Sequence, residues 1–238
     1  MMELTAIKTD RLYVKVADQI TTLVEQQVLK PGSRLPSERT LAEQLNVSRP
    51  IIREAMIALE LSGIIEIRTG SGIFINEVQT KLPVLDKGAG PFEILQLRLV
   101  VETEACALAA QYISQAQLLA LQQAISGMEG AVNSKECAEA FDHLFHSIIA
   151  DASNNSAISS VINWLWELRK QSDLSRSFSS RLLKRGVHPS IHDHKEIYQA
   201  LSQGDSEKSR QAMRKHIEQA TEDAATFFDS TSFKKIKV

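Results

Sequence analysis

The chain has 238 residues, 43% of them hydrophobic and 24% charged, with a formal net charge of −2 and only 10 glycines. That composition describes a globular protein with a core, excludes a polycation, and argues against a β-rich or linker-rich design. No apolar run approaches the ~20 residues of a membrane span, and the stretch from Met1 to Asp10 lacks the apolar centre of a signal peptide, so a cytoplasmic protein that neither crosses a membrane nor is exported is expected.

The first helix reads from about Leu12 to Leu29, with Val16, Ile20, Leu23 and Val24 at helical spacing and Lys30-Pro31-Gly32 as its stop. A second helix follows Ser37, its N-cap, with Leu41, Ala42 and Leu45 facing inward. After the turn at Asn46-Val47, Ser48 caps a third helix that tolerates Pro50 in its first turn. Ile52, Ala55, Met56 and Leu59 form its apolar stripe, and Gly63 ends it. The runs IIEIR and GIFIN around Thr69-Gly70-Ser71 predict a β-hairpin. Three helices and a hairpin over 8–76 make a winged helix-turn-helix.

Residues 77–91, EVQTKLPVLDKGAGP, read as a linker. Beyond it, over 92–230, the pattern is helical throughout, with helices at about 92–112, 115–132, 135–152, 156–180, 190–203 and 206–228. Ser114 and Gln117 form a capping box for the second of these. Long helices with short turns predict an antiparallel all-α bundle, so the fold class is mainly α. Cys106 and Cys137 read as buried or half-buried reduced thiols.

Arg49 and Arg53 lie one turn apart on one face of the third helix, opposite its apolar stripe. Free backbone N–H groups at a helix start favour phosphate, and guanidinium forks match phosphate or guanine edges, so this tip suits a DNA major groove. Arg34 and Arg39 add to a local basic patch, and Gly70 lets the wing turn approach a groove where a side chain would collide.

All six histidines follow the linker. Asp142 and His146 are one turn apart in FDHLFHSIIADASNN, while His194 and His216 lie on later helices. One carboxylate and three imidazoles make a credible divalent-metal set, with zinc first and nickel, manganese or iron also accommodated. The same spacing also suits an ordinary helical hydrogen bond. Arg98 interrupts the apolar ILQLRLVV, where a charge needs a partner. That partner is either Glu102, one turn on, or a ligand carboxylate.

The segment PGSRLPSERTLAEQLNVSRPIIREAMIALELSGIIEIRTGSGIFI resembles the DNA-binding domain of GntR-type transcription regulators. The resemblance implies a homodimer on a palindromic operator in double-stranded DNA, contacted through Arg39, Ser48, Arg49, Pro50, Arg53 and Gly70, with Arg34 and Arg68 on phosphates. LQLRLVVETEACALAA, FDHLFHSIIADASNN and HDHKEIYQALSQGDSEKSRQAMRKHI are similar to the metal-binding ligand domain (FCD) of the FadR subfamily. That similarity implies a metal on Asp142, His146, His194 and His216, and Arg98 against the carboxylate of a small effector. His143, His188 and His192 match no ligand position. AGPFEILQLR and WLWELRK resemble the hexuronate-responsive branch, which adds Trp166, against a sugar face, and Arg169 as ligand-binding residues. Core packing is the role expected for Trp164 and the equal alternative for Trp166.

The implied function is a ligand-responsive regulator, a repressor released by a small sugar acid at a metal centre. Lactate, pyruvate, an aldonate or a dicarboxylate is the alternative effector. A metal-dependent hydrolase or lyase is the alternative of another class, and a constitutive DNA binder with a structural metal is the third.

Overall fold

The computed structural model describes residues 11–68, 70–77, 88–131, 135–184, 187 and 190–226. They fall into two compact units, divided between residues 86 and 87.

In the first unit α1 (Leu12–Glu25) stops earlier than expected, because Gln27 takes a left-handed conformation, φ 58°, and turns the chain away. The Ser37 hydroxyl accepts the Thr40 N–H at 3.2 Å and starts α2 (Glu38–Leu45), which ends at left-handed Asn46. α3 spans Arg49–Leu61. Ser48 stands at its N-cap with extended backbone, but its side chain makes no capping hydrogen bond, contrary to expectation. Ile52, Ala55, Met56 and Leu59 of α3 pack against α1, where Tyr13, Val16, Ala17 and Ile20 are buried.

Gly63, at φ 71°, reverses the chain into β1 (Ile65–Arg68). It pairs antiparallel with β2 (Gly72–Ile75), Ile65 opposite Ile75 and Arg68 opposite Gly72. Burial of Ile65, Ile67, Ile73 and Ile75 keeps this small sheet on the helical core. The stretch after α1 lies along β2, with Leu35 N–H donating to the Ile73 carbonyl at 2.8 Å. Three helices with a two-stranded wing are what the pattern predicts.

The second unit contains α4 (Pro91–Tyr112), α5 (Gln115–Gly130), α6 (Lys135–Ala152), α7 (Ser156–Gln171), α8 (Asp173–Lys184), α9 (Ile191–Ser202) and α10 (Ser206–Ala225). The Ser114–Gln117 box is formed, and Asn155, Ser190 and Asp205 cap α7, α9 and α10. The helix expected over 156–180 is in fact two. Ser172 is extended and its hydroxyl accepts the Ser175 N–H at 3.1 Å, capping a new helix. α4 packs on α6, α7 and α10, and Cys106, Leu121, Phe145, Ile197, Met213 and Ile217 share the main core. A smaller core joins Ala105, Ala150, Ile162 and Trp166.

Two expectations about single residues fail. Cys137 is exposed, although Cys106 is buried. Trp164 is 54% exposed, because the inward face of α7 is taken by Ile162, Leu165 and Trp166. The linker expected over 77–91 lies largely outside the described residues. No described helix is long and apolar enough to cross a membrane.

Candidate metal centre and nucleic-acid interface

α6 projects Asp142 and His146 from one face into the bundle, where they meet His194 from α9 and His216 from α10. All four are buried, and one ligand atom from each lies within 4.8 Å of the others. Asp142 Oδ1 is 2.9 Å from His194 Nε2 and 3.5 Å from His146 Nε2. The rings of His194 and His216 lie 4.5 Å apart.

Behind each imidazole stands an oxygen, although only the one behind His194 makes a hydrogen bond. His194 Nδ1 donates to the Ser190 carbonyl at 2.7 Å, a contact that fixes its tautomer because a carbonyl only accepts. His146 Nδ1 lies 2.6 Å from Glu102 Oε2, and His216 Nδ1 lies 3.8 Å from Asp193 Oδ2. Acceptors behind histidines orient the opposite nitrogen toward a metal and raise its basicity.

The fit to a cation rests on His146 Nε2, which is buried and has no hydrogen-bond partner. Such a nitrogen, beside two further imidazoles and a carboxylate, is satisfied by a divalent ion. The protonation states of Asp142 and His216 suit a ligand set, whereas burial of His146 is outweighed by the Glu102 charge and by Asp142, which raise its pKa, so an ion bound there displaces a proton. Burial pushes the Asp142 carboxyl up, but the adjacent imidazoles of His146 and His194 outweigh it and hold the group well below the usual carboxylate range. Burial raises Glu102 too, and the charges of Arg98 and His146 outweigh it, holding Glu102 at about 2. Burial pushes His216 down to about 4, which keeps its imidazole neutral and able to ligate.

A cavity of about 140 Å³ opens beside this cluster, bordered by Asp142, His216, Arg98, Arg169, Glu139 and Phe178 among others. Arg98 takes the partner of the first sequence reading. Its Nε and Nη2 pair with the two Glu102 oxygens at 2.6 and 3.3 Å, and it also lines the cavity. Arg169 Nε donates to Ser179 Oγ at 3.2 Å, and its Nη2 lies 3.4 Å from Glu139 Oε1. Trp166 takes the core-packing alternative. It is 1% exposed and does not border the cavity, so its ring is not free to face a sugar. It carries the guanidiniums instead, with Arg98 Cζ 4.5 Å and Arg169 Cζ 5.3 Å from its centroid, and His143 stacked at 4.7 Å. His192 is exposed beside Glu196, and His188 lies outside the described residues.

In the first unit the structure supplies a residue that sequence reasoning missed. Glu38, its side chain only 9% exposed, accepts from Arg53 Nε with both oxygens at 3.1 Å and from Arg49 Nη2 at 3.2 Å. Arg49 remains 56% exposed, whereas Arg53 is only 14% exposed. The tip therefore presents one open guanidinium and one half-hidden one, rather than two free arginines. Arg39 is 81% exposed with only a 3.9 Å contact to Glu43, and Ser48 and Arg34 are exposed. Pro50 is partly covered in the first turn of α3. Arg68 pairs with Glu66 at 2.8 Å over the Phe74 ring. Gly70 has φ +79° with open space around it, so backbone conformation is what calls for glycine there.

A winged three-helix unit, joined in one chain to a helical unit with a buried Asp/His cluster beside a cavity that two arginines border, has the make-up of a ligand-responsive DNA-binding regulator. Comparison with known proteins agrees. Residues 12–75 match the profile of bacterial regulatory proteins of the gntR family, and residues 93–219 match the FCD domain. The Uxu operon transcriptional regulator of Escherichia coli K12 is 32% identical over 223 residues, spanning 90% of this chain and 87% of that protein. The Exu regulon transcriptional regulator of the same strain is 32% identical over 226 residues, spanning 91% and 85%. A solved GntR-family regulator from Pseudomonas syringae shares the fold, with TM-score 0.50 and 19% identity over 90% of this chain and 84% of that one. The chain belongs to the GntR family of bacterial transcription regulators, in the FadR-type arrangement with an FCD domain. It is a ligand-responsive DNA-binding regulator and not an enzyme, which removes the hydrolase or lyase alternative.

Proposed function

We propose that this regulator is a cytoplasmic, homodimeric repressor released from a palindromic operator by a small sugar acid of the hexuronate type. The observation that carries the reading is the cavity, where Arg98 and Arg169 converge with Asp142 and His216 of the candidate metal set. The relatives named for the Uxu operon and the Exu regulon support the choice of acid.

Asp142, His146, His194 and His216 would hold the ion, zinc first for three nitrogens and one oxygen, with nickel, manganese or iron also accommodated. When bound, a divalent ion supplies a Lewis-acidic centre for carboxylate and hydroxyl oxygens. Glu102 and Ser190 hold the His146 and His194 rings in place, and Trp166 holds the two guanidiniums at the cavity. An acid bound against Arg169 and Arg98 draws on α4, α6, α7 and α10 together, so repacking there would pass through the linker to the half-site spacing. A coupling of ~1–3 kcal/mol changes operator affinity ~5–150-fold.

On the DNA side Arg39, Ser48, Arg49, Pro50, Arg53 and Gly70 are the proposed contacts, with Arg34 and Arg68 on phosphates. Two copies would place two such tips on the operator. Exposed apolar side chains on the packed pair α4 and α7, Leu97 and Val100 with Val161 and Trp164, are what a second copy would cover.

One observation favours a smaller acid such as lactate as the second reading. A cavity of about 140 Å³ is close to the roughly 150 Å³ that holds a benzene ring, so a hexuronate requires it to widen. A thermal-shift screen of zinc-loaded protein with galacturonate, glucuronate, an aldonate and lactate decides between them. The effector raises Tm by mass action. A shift with lactate and none with either hexuronate would overturn the first choice.

A further inference from the structure

The cavity holds two arginines whose situations differ. Arg98 has its Nε–Nη2 edge committed to Glu102 at 2.6 and 3.3 Å, with both side chains buried, and Glu102 in turn lies 2.6 Å from His146. This edge braces a ligand histidine and is not available to an incoming anion. Arg169 is held differently. Its Nε is fixed by Ser179, and among the described residues its carboxylate contact is a single-atom approach of 3.4 Å from Glu139. That pair is partly exposed, 26% for Arg169 and 32% for Glu139, and both residues border the cavity. Glu139 also stands one turn before Asp142 on α6, so its charge is placed beside the ligand cluster.

We infer that Glu139 is an internal stand-in for the effector's carboxylate. It occupies Arg169 in the ligand-free protein, and an acid must displace it to bind. This rests on reading the cavity as the effector site. Three consequences follow from the geometry. The effector is an anion, because an anion replaces on Arg169 the contact and charge that Glu139 withdraws. Displacement of Glu139 enlarges a cavity otherwise tight for a sugar acid. Glu139 sets the concentration at which the regulator responds, because removing a negative charge that competes for one guanidinium strengthens anion binding.

The test is calorimetric titration of zinc-loaded wild-type, Glu139→Gln and Glu139→Ala proteins with galacturonate, glucuronate, gluconate and lactate, and with galactose as the neutral control. Both variants are expected to bind the acid that binds wild type about tenfold more tightly, with no gain for galactose. Zinc affinity, read by competition with a chromophoric chelator, stays within twofold, and Arg169→Gln loses acid binding. Acid binding unchanged or weakened in both Glu139 variants would overturn the stand-in role while leaving the effector site in place. Absence of acid binding in all proteins would remove the effector-site reading and the inference with it.

Discussion

At the tip of α3 a single carboxylate decides how two arginines are presented. Glu38 holds the Arg53 guanidinium with both oxygens and touches Arg49 with one of them, so the forks are fixed before DNA arrives. Glu38→Gln, which keeps the shape and removes the charge, is expected to weaken specific operator binding by about 1–2 kcal/mol, the scale of one well-made bidentate contact. Its affinity for random-sequence DNA is expected to hold or rise. Fluorescence anisotropy with both duplexes checks this, and equal loss on the two would show that Glu38 merely supports the fold. Cys106 gives a second prediction. Burial, aided by the Glu102 charge, pushes its thiol upward, so it stays protonated in the folded chain. The unfolded chain releases that proton sooner, so this contribution to stability is complete below about pH 8.5 and declines as pH rises above it. A thiol reagent at pH 8 should find one reactive group, the exposed Cys137, and two after denaturation. Two members of the candidate metal set were legible in spacing, because His146 follows Asp142 by one helical turn among apolar neighbours, while His194 and His216 joined them only through the family resemblance. Glu102 as the brace of His146, and Glu38 as the clamp of Arg53, were not, because each contact crosses between helices and spacing along one helix cannot show it. A faint signal existed for Glu38, an acidic residue directly after the N-cap Ser37 and beside the patch it neutralises.

At the level of elements, ends were readable where chemistry marks them. Ser37, Ser114 with Gln117, and Gly63 stand where capping and positive φ require them. The break between α7 and α8 escaped because neither proline nor glycine announces it. The available signal was Ser172-Asp173, a capping serine followed by an acid in the first turn of the new helix. Packing between elements is tight where α5 crosses α6. A Cβ on Gly127 would lie 2.5 Å from two atoms of the Phe141 ring. Gly127→Ala sets overpacking of about 1–3 kcal/mol against a helix-propensity gain of about 1 kcal/mol. A net loss on the order of 1 kcal/mol is expected, seen as a lower denaturant midpoint. A stabilised variant would mean that the ring moves aside at little cost.

At the scale of the whole molecule, two compact units imply two separable responses. Asp142, His146, His194 and His216 join three helices distant in sequence, so zinc should stabilise the bundle and leave the winged unit untouched. At a hundredfold excess over Kd a bound ligand adds about 2.7 kcal/mol. Calorimetry should show one transition falling on chelation and the other unmoved, with His194→Ala insensitive to zinc from the start. Glu38 also has a consequence for how the protein moves among sequences. The trio of Glu38, Arg49 and Arg53 carries a single net positive charge, so its pull on any duplex, paid out as released counterions, is that of one cation. A reader with its own counterion built in lingers less on the millions of wrong addresses in a chromosome. It gives up general stickiness and keeps the shape that tells one address from another.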